Sequence, residues 1–105
     1  MTVYAFVPDL MDRSRITAAL DDVAFTDDPA ACSGAQVVII DLARCGAIVR
    51  AVRAVAPSAR IVGFLPHLDG ALAAEAEAGG VDVSLPRARF FRDVAAATAP
   101  PGAGT

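Results

Sequence analysis

Val37-Val38-Ile39-Ile40-Asp41 is the stretch on which the fold turns. Four β-branched residues follow one another without a polar break and end at a carboxylate. A strand with one wet face alternates apolar and polar side chains, so an unbroken run marks a strand buried on both faces, as at the centre of a parallel sheet. Parallel neighbours need crossover connections, and right-handed crossovers lay helices on both faces.

The flanking sequence supplies those crossovers. Towards the N-terminus, a strand over 3–7 is closed by Pro8, and Asp9 stands as the N-cap of a helix with Asp12 in its first turn. That helix is expected to reach about Leu20 and to bury Leu10, Ile16, Ala19 and Leu20. A weak strand over 22–25 and a short segment from Asp27-Asp28-Pro29 through Cys32 lead on to the central strand. Towards the C-terminus, a helix from about Cys45 to Val55 carries Ile48, Val52 and Val55 on one face and Arg50 and Arg53 on the other. A strand over 61–65 follows, then the turn Pro66-His67-Leu68-Asp69, where Asp69 can cap an alanine-rich helix ended by Gly79-Gly80. A fifth strand over 81–85 leads through Pro86 to a last helix over 88–98. The remainder, 99–105, has no apolar period and is expected to be a disordered tail, leaving one domain over 1–98.

Five strand-helix units in this length predict an α/β, flavodoxin-like fold: a five-stranded parallel sheet in the order 2-1-3-4-5 with helices on both faces. In that topology reactive groups gather at the carboxyl ends of the strands. The side chains that should line the site are Pro8, Asp9, Asp41, Leu65, Pro66, His67 and Arg87.

Composition narrows the chemistry. The chain has 105 residues, 55% of them apolar, and a net charge of −3. All nine basic residues are arginine, so a phosphate-loop lysine, a Schiff base and a Ser-Lys dyad are excluded. One histidine and two cysteines without CxxC spacing cannot close a four-ligand zinc site. The acidic balance speaks against a nucleic-acid partner, and the apolar opening is too short for a leader or a membrane span. A cytoplasmic location with reduced thiols, and no membrane partner, is the resulting expectation.

The strand VVIID, the helix GAIVRAVRAVAP, the turn IVGFLPH and the ending AGGVDVSLPRARF, in this order and spacing, resemble the receiver domain of bacterial two-component response regulators. The resemblance spans nearly the whole chain and implies that Asp41 occupies the phosphoacceptor position. It also implies an acidic pair after the first strand to hold Mg2+, a hydroxyl after the fourth and a lysine after the fifth. Here Val7-Pro8, Leu65 and Pro86-Arg87 stand at those places, and Asp9 comes one step late. Phosphoryl transfer depends on a hard cation held by oxygens, so these departures predict a degenerate, pseudo-receiver form that binds no metal and has no cofactor. Mg2+ enters only if Asp41 is a working phosphoacceptor.

The expected function is a non-catalytic signalling or regulatory module acting by protein-protein contact, with a partner or a second copy on the face of the fourth helix, fifth strand and fifth helix. Arg89, Phe90, Phe91 and Arg92 are its candidate contacts. Within the site, an ion pair between Asp41 and Arg87 is expected, because adjacent strand ends bring them close and a guanidinium fork suits a carboxylate. His67 reads as a turn residue and Cys45 as a small hydrophobe near the site. Two alternatives remain: a functional phosphoacceptor receiver using Asp41, and a small-molecule binder in the strand-end crevice. For the second, Pro8-Asp9-Leu10 replaces the glycine-rich loop a nucleotide would need. An anti-sigma-antagonist-like domain would need a serine where Ala43 and Arg44 follow the strand.

Overall fold

The computed structural model describes residues 1–67 and 69–99. The turn residue Leu68 and, apart from Ala99, the tail expected over 99–105 lie outside them. Five strands, β1 (Val3–Phe6), β2 (Val23–Phe25), β3 (Val37–Asp41), β4 (Arg60–Leu65) and β5 (Val83–Pro86), form one sheet. Its order is β2-β1-β3-β4-β5 and every pairing is parallel, as expected. All five residues of β3 are buried, which is what its unbroken apolar run requires.

Strand alternation divides the core in two. Val3, Ala5, Val37, Ile39, Val62 and Phe64 pack on one face with Ile16, Phe90 and Val94. Phe6, Val38, Ile40 and Ile61 pack on the other with Leu42, Val49, Val52 and Ala76. The first layer contains helices α1 (Leu10–Ala19), α5 (Arg87–Arg92) and α6 (Val94–Thr98), and the second contains α2 (Leu42–Cys45), α3 (Val49–Val55) and α4 (Gly70–Gly79). None of the described helices is long and apolar enough to cross a membrane.

Several local expectations need correction. In α1 the buried positions are Asp12 and Ile16, one helical turn apart, so Leu10 and Met11 are turned outward and are 75% and 70% exposed. The helix expected from Cys45 begins directly after Asp41 as α2, passes through a 3-10 turn at Gly46–Ile48 and continues as α3. The last helix breaks at Asp93, whose side chain accepts from the Ala96 amide and starts α6 afresh. Arg53 does not face solvent but donates to the carbonyls of Gly80 and Ala59 and to Asp82.

Candidate functional site

The carboxyl ends of β1, β3, β4 and β5 surround a cleft of about 350 Å³ lined by Asp9, Asp12, Asp41, Arg44, Pro66 and Arg87, with Ala43 at its edge. Of the side chains expected here, Asp9, Asp41, Pro66 and Arg87 are present. Leu65 is not, because strand alternation turns it into the core, where it is 1% exposed. Pro8 and His67 are exposed and lie outside the lining. Asp12 and Arg44 belong to the site although neither was expected to line it. Their signal was spacing: each stands three residues after an aspartate that caps its helix.

Asp9 and Asp41 are each committed locally. Asp9 Oδ1 accepts from the Asp12 amide at 3.0 Å and caps α1, while its Oδ2 lies 3.6 Å from Arg44 Nη1. The Asp12 amide, more than the neighbouring Arg44 guanidinium, holds the Asp9 carboxyl below its ordinary range. Asp41 caps α2 through a long bond of 3.4 Å from the Arg44 amide, and its Oδ2 is 3.9 Å from Arg44 Nε. It is 3% exposed. Burial pushes its carboxyl above the usual range, against the opposing pull of the Arg44 amide and the Arg44 and Arg87 charges.

The expected Asp41–Arg87 ion pair is not formed. Arg87 instead grips Asp12, with Nη2 donating to Oδ1 at 2.6 Å and Nη1 to Oδ2 at 2.8 Å. Both Asp12 oxygens are free to accept a fork, whereas one Asp41 oxygen is already turned towards its own helix. The fork therefore closes where two parallel bonds can be made. The Asp12 hydrogen bond in turn raises the Arg87 pKa. The Arg87 guanidinium carbon lies 5.3 Å from the Phe64 ring centroid and 5.1 Å from that of Phe91.

Phe90 leaves the list of partner contacts. It is wholly buried and stacked on Phe64 with centroids 5.0 Å apart, because the helix carries it to the core while Arg89 and Arg92 point to solvent. Phe91 is half-buried against both rings. Cys45 is half-buried, and burial, followed by the Asp41 charge, raises its thiol pKa.

A divalent cation does not fit these residues. Asp12 has both oxygens on a guanidinium, Asp9 and Asp41 each spend one on a helix amide, and no group of three or more candidate ligands is gathered among the described residues. Five of the seven residues lining the cleft carry charged side chains, unlike the well-formed apolar cavity that a small-molecule binder would need. A larger concavity, about 1010 Å³, opens at the other end of the sheet between the loops around Gln36, Ser58 and Val81. It lies away from the carboxyl ends where ligands of this topology bind.

No protein-family model matches the chain, and no curated protein matches it. Solved structures match by fold. A response regulator from Burkholderia pseudomallei, crystallised with a phosphorylated aspartic acid, a calcium ion and citrate, superimposes with a TM-score of 0.78 over 93% of this chain at 16% identity. This chain spans 66% of that one. A response regulator from Thermotoga maritima gives a TM-score of 0.68 at 14% identity, covering 82% of this chain and 83% of its own. The pilus assembly protein CpaE from Caulobacter crescentus gives 0.62 at 18% identity, covering 90% and 97%. Such identities speak for the fold alone, which is receiver-like: a five-stranded parallel sheet in the order β2-β1-β3-β4-β5.

Proposed function

We propose that the chain is a receiver-fold signalling module over residues 1–98 that is not phosphorylated, catalyses no reaction and acts by contact with a protein partner. One observation carries the reading: Asp41, the acid at the phosphoacceptor position, is buried as a helix cap in a cleft whose described lining holds no hydroxyl and no free carboxylate pair to share a cation. A phosphoryl group there would place about two negative charges beside the two remaining carboxylates, Asp9 and Asp12. Without a metal, only the arginines would offset them.

Partner contact falls to the surface of α5. Arg89 and Arg92 are exposed and neither sits in an ion pair among the described residues, while Phe91 is half-buried beneath the guanidinium groups of Arg15 and Arg87. Both arginines stand in the last turn of α5, where the helix dipole favours a cation, so it is their exposure that leaves them available to a partner. The similarity to a pilus assembly protein supports a role inside a larger assembly, where a receiver fold serves as a docking unit.

The test is an NMR titration with Mg2+ and beryllofluoride, which mimics an aspartyl phosphate. The expected result is no saturable shift at Asp41 or its neighbours. Saturable shifts centred on Asp41 would establish the rival reading, a working phosphoacceptor.

A further inference from the structure

We infer that the guanidinium of Arg87 is the resident cation of the strand-end site and that it closes the site to divalent metal ions. This rests on the proposed reading of a site without phosphoryl chemistry, and says what has taken the metal's place.

Burial makes the first part of the case. The Asp12 side chain is 4% exposed, and a carboxylate so far from water must be paired or protonated. The pair is supplied from 75 residues away by a fork with bonds of 2.6 and 2.8 Å. A guanidinium cannot give up its charge at physiological pH, so the neutralisation is permanent.

Orientation is the second part. The Phe64 and Phe91 rings lie 5.3 and 5.1 Å from the guanidinium carbon and favour the cation on their faces. Phe64 is itself fully buried and stacked on Phe90, so the aromatic seat is rigid. Asp12 and the two rings thus hold the cation from two sides.

Charge balance is the third. Asp9, Asp12 and Asp41 face Arg44 and Arg87. The Arg44 side chain is 55% exposed and stands 3.6 to 3.9 Å from its carboxylates, where water screens it. Arg87 is the cation in close contact with a buried carboxylate. A magnesium ion would need an octahedral oxygen set at about 2.0–2.1 Å. It could recruit Asp12 only by expelling Arg87, leaving a guanidinium without an anion above two rings. In consequence, the junction of β5 and α5 is tied to α1 at all times, and the tie does not await a ligand.

Manganese, a paramagnetic substitute for magnesium, tests this through amide broadening. Wild-type protein should show no saturable broadening around Asp9, Asp12 and Asp41 at millimolar Mn2+. Arg87→Gln should gain binding centred there, tighter by roughly tenfold or more, and its thermal midpoint should rise on addition of Mg2+. Asp12→Asn, which frees Arg87 but removes the carboxylate, should stay silent. Arg87→Gln as silent as wild type overturns the inference and leaves the proposed function standing. Wild-type protein that takes up Mn2+ and beryllofluoride overturns both. If Arg87→Gln does not fold, Arg87→Lys takes its place: a single ammonium cannot cover both oxygens, so a smaller gain is expected, and no gain overturns the inference.

Discussion

At the scale of single residues, Asp9 and Asp41 show how one residue type acquires opposite properties in one cleft. Asp9 accepts an amide bond near the surface, and its carboxyl pKa is lowered. Its contribution to stability is present above the unfolded pKa and is lost on acidification. Asp41 carries the same cap into a buried position, and burial outweighs the amide and the arginines, so its carboxyl pKa is raised. The folded state then binds the proton more tightly than the unfolded chain, and stability falls as pH rises through the folded pKa. Asp41→Asn keeps a capping oxygen and removes the charge. It should raise the thermal midpoint at pH 7 by several degrees, a gain of about 1 kcal/mol, and the gain should shrink as the pH is lowered. A variant less stable than the parent at pH 7 would show that the ionised carboxylate supports the fold. Asp12→Ala should cost about 3 kcal/mol in denaturant unfolding, since it strands Arg87; a loss below about 1 kcal/mol would mean that water serves the fork equally well.

At the scale of elements, aspartate is the chain's helix starter. Asp9, Asp28, Asp41, Asp69 and Asp93 each accept an amide at the head of a helix or 3-10 turn. Asp9 and Asp69 were legible as caps from an acid following a strand or turn, whereas Asp41 was expected only as the acid at the strand end, with the next helix starting near Cys45. The fifth, Asp93, was missed because the apolar pattern runs through it. The start of α2 depends on a different constraint. A Cβ on Gly63 would meet Leu42 Cδ1 at 2.5 Å, so the glycine in β4 makes room for the side chain that follows Asp41. Gly63→Ala should therefore cost about 2 kcal/mol and disturb amide signals as far as Asp41. In a Leu42→Ala background the same change should cost less, because the clashing branch is gone. Equal costs in both backgrounds would remove Leu42 from the explanation.

At the scale of the whole molecule, two long-range arginine contacts tie the ends of the sheet to its crossovers. At the strands' carboxyl ends Arg87 joins α5 to α1. At the opposite end Arg53 of α3 donates to Gly80 O at 2.7 Å, to Ala59 O at 2.8 Å and to Asp82 Oδ2 at 2.8 Å. Asp82 also accepts from the Ile61 amide at 2.7 Å. Arg53→Met preserves much of the stem and removes every donor. A loss of about 2–4 kcal/mol with a single cooperative transition is expected, and a loss under about 0.5 kcal/mol would show the donors to be incidental.

The order of the sheet and the layers around it were determined by the sequence alone. Burial on both faces leaves a periodic trace in neighbouring residues, and VVIID carries that trace without interruption. The same local logic identified Asp9 as a cap and Asp41 as the acid at the strand end. The partner of Arg87 was decided only by the tertiary structure. An ion pair across 75 residues leaves no periodic mark in the chain, and the sequence reading had matched Arg87 with Asp41 instead. The choice fell to Asp12 because it offered two free oxygens on the buried side of α1, within reach of a guanidinium seated over two aromatic rings, while Asp41 had already given one oxygen to its own helix.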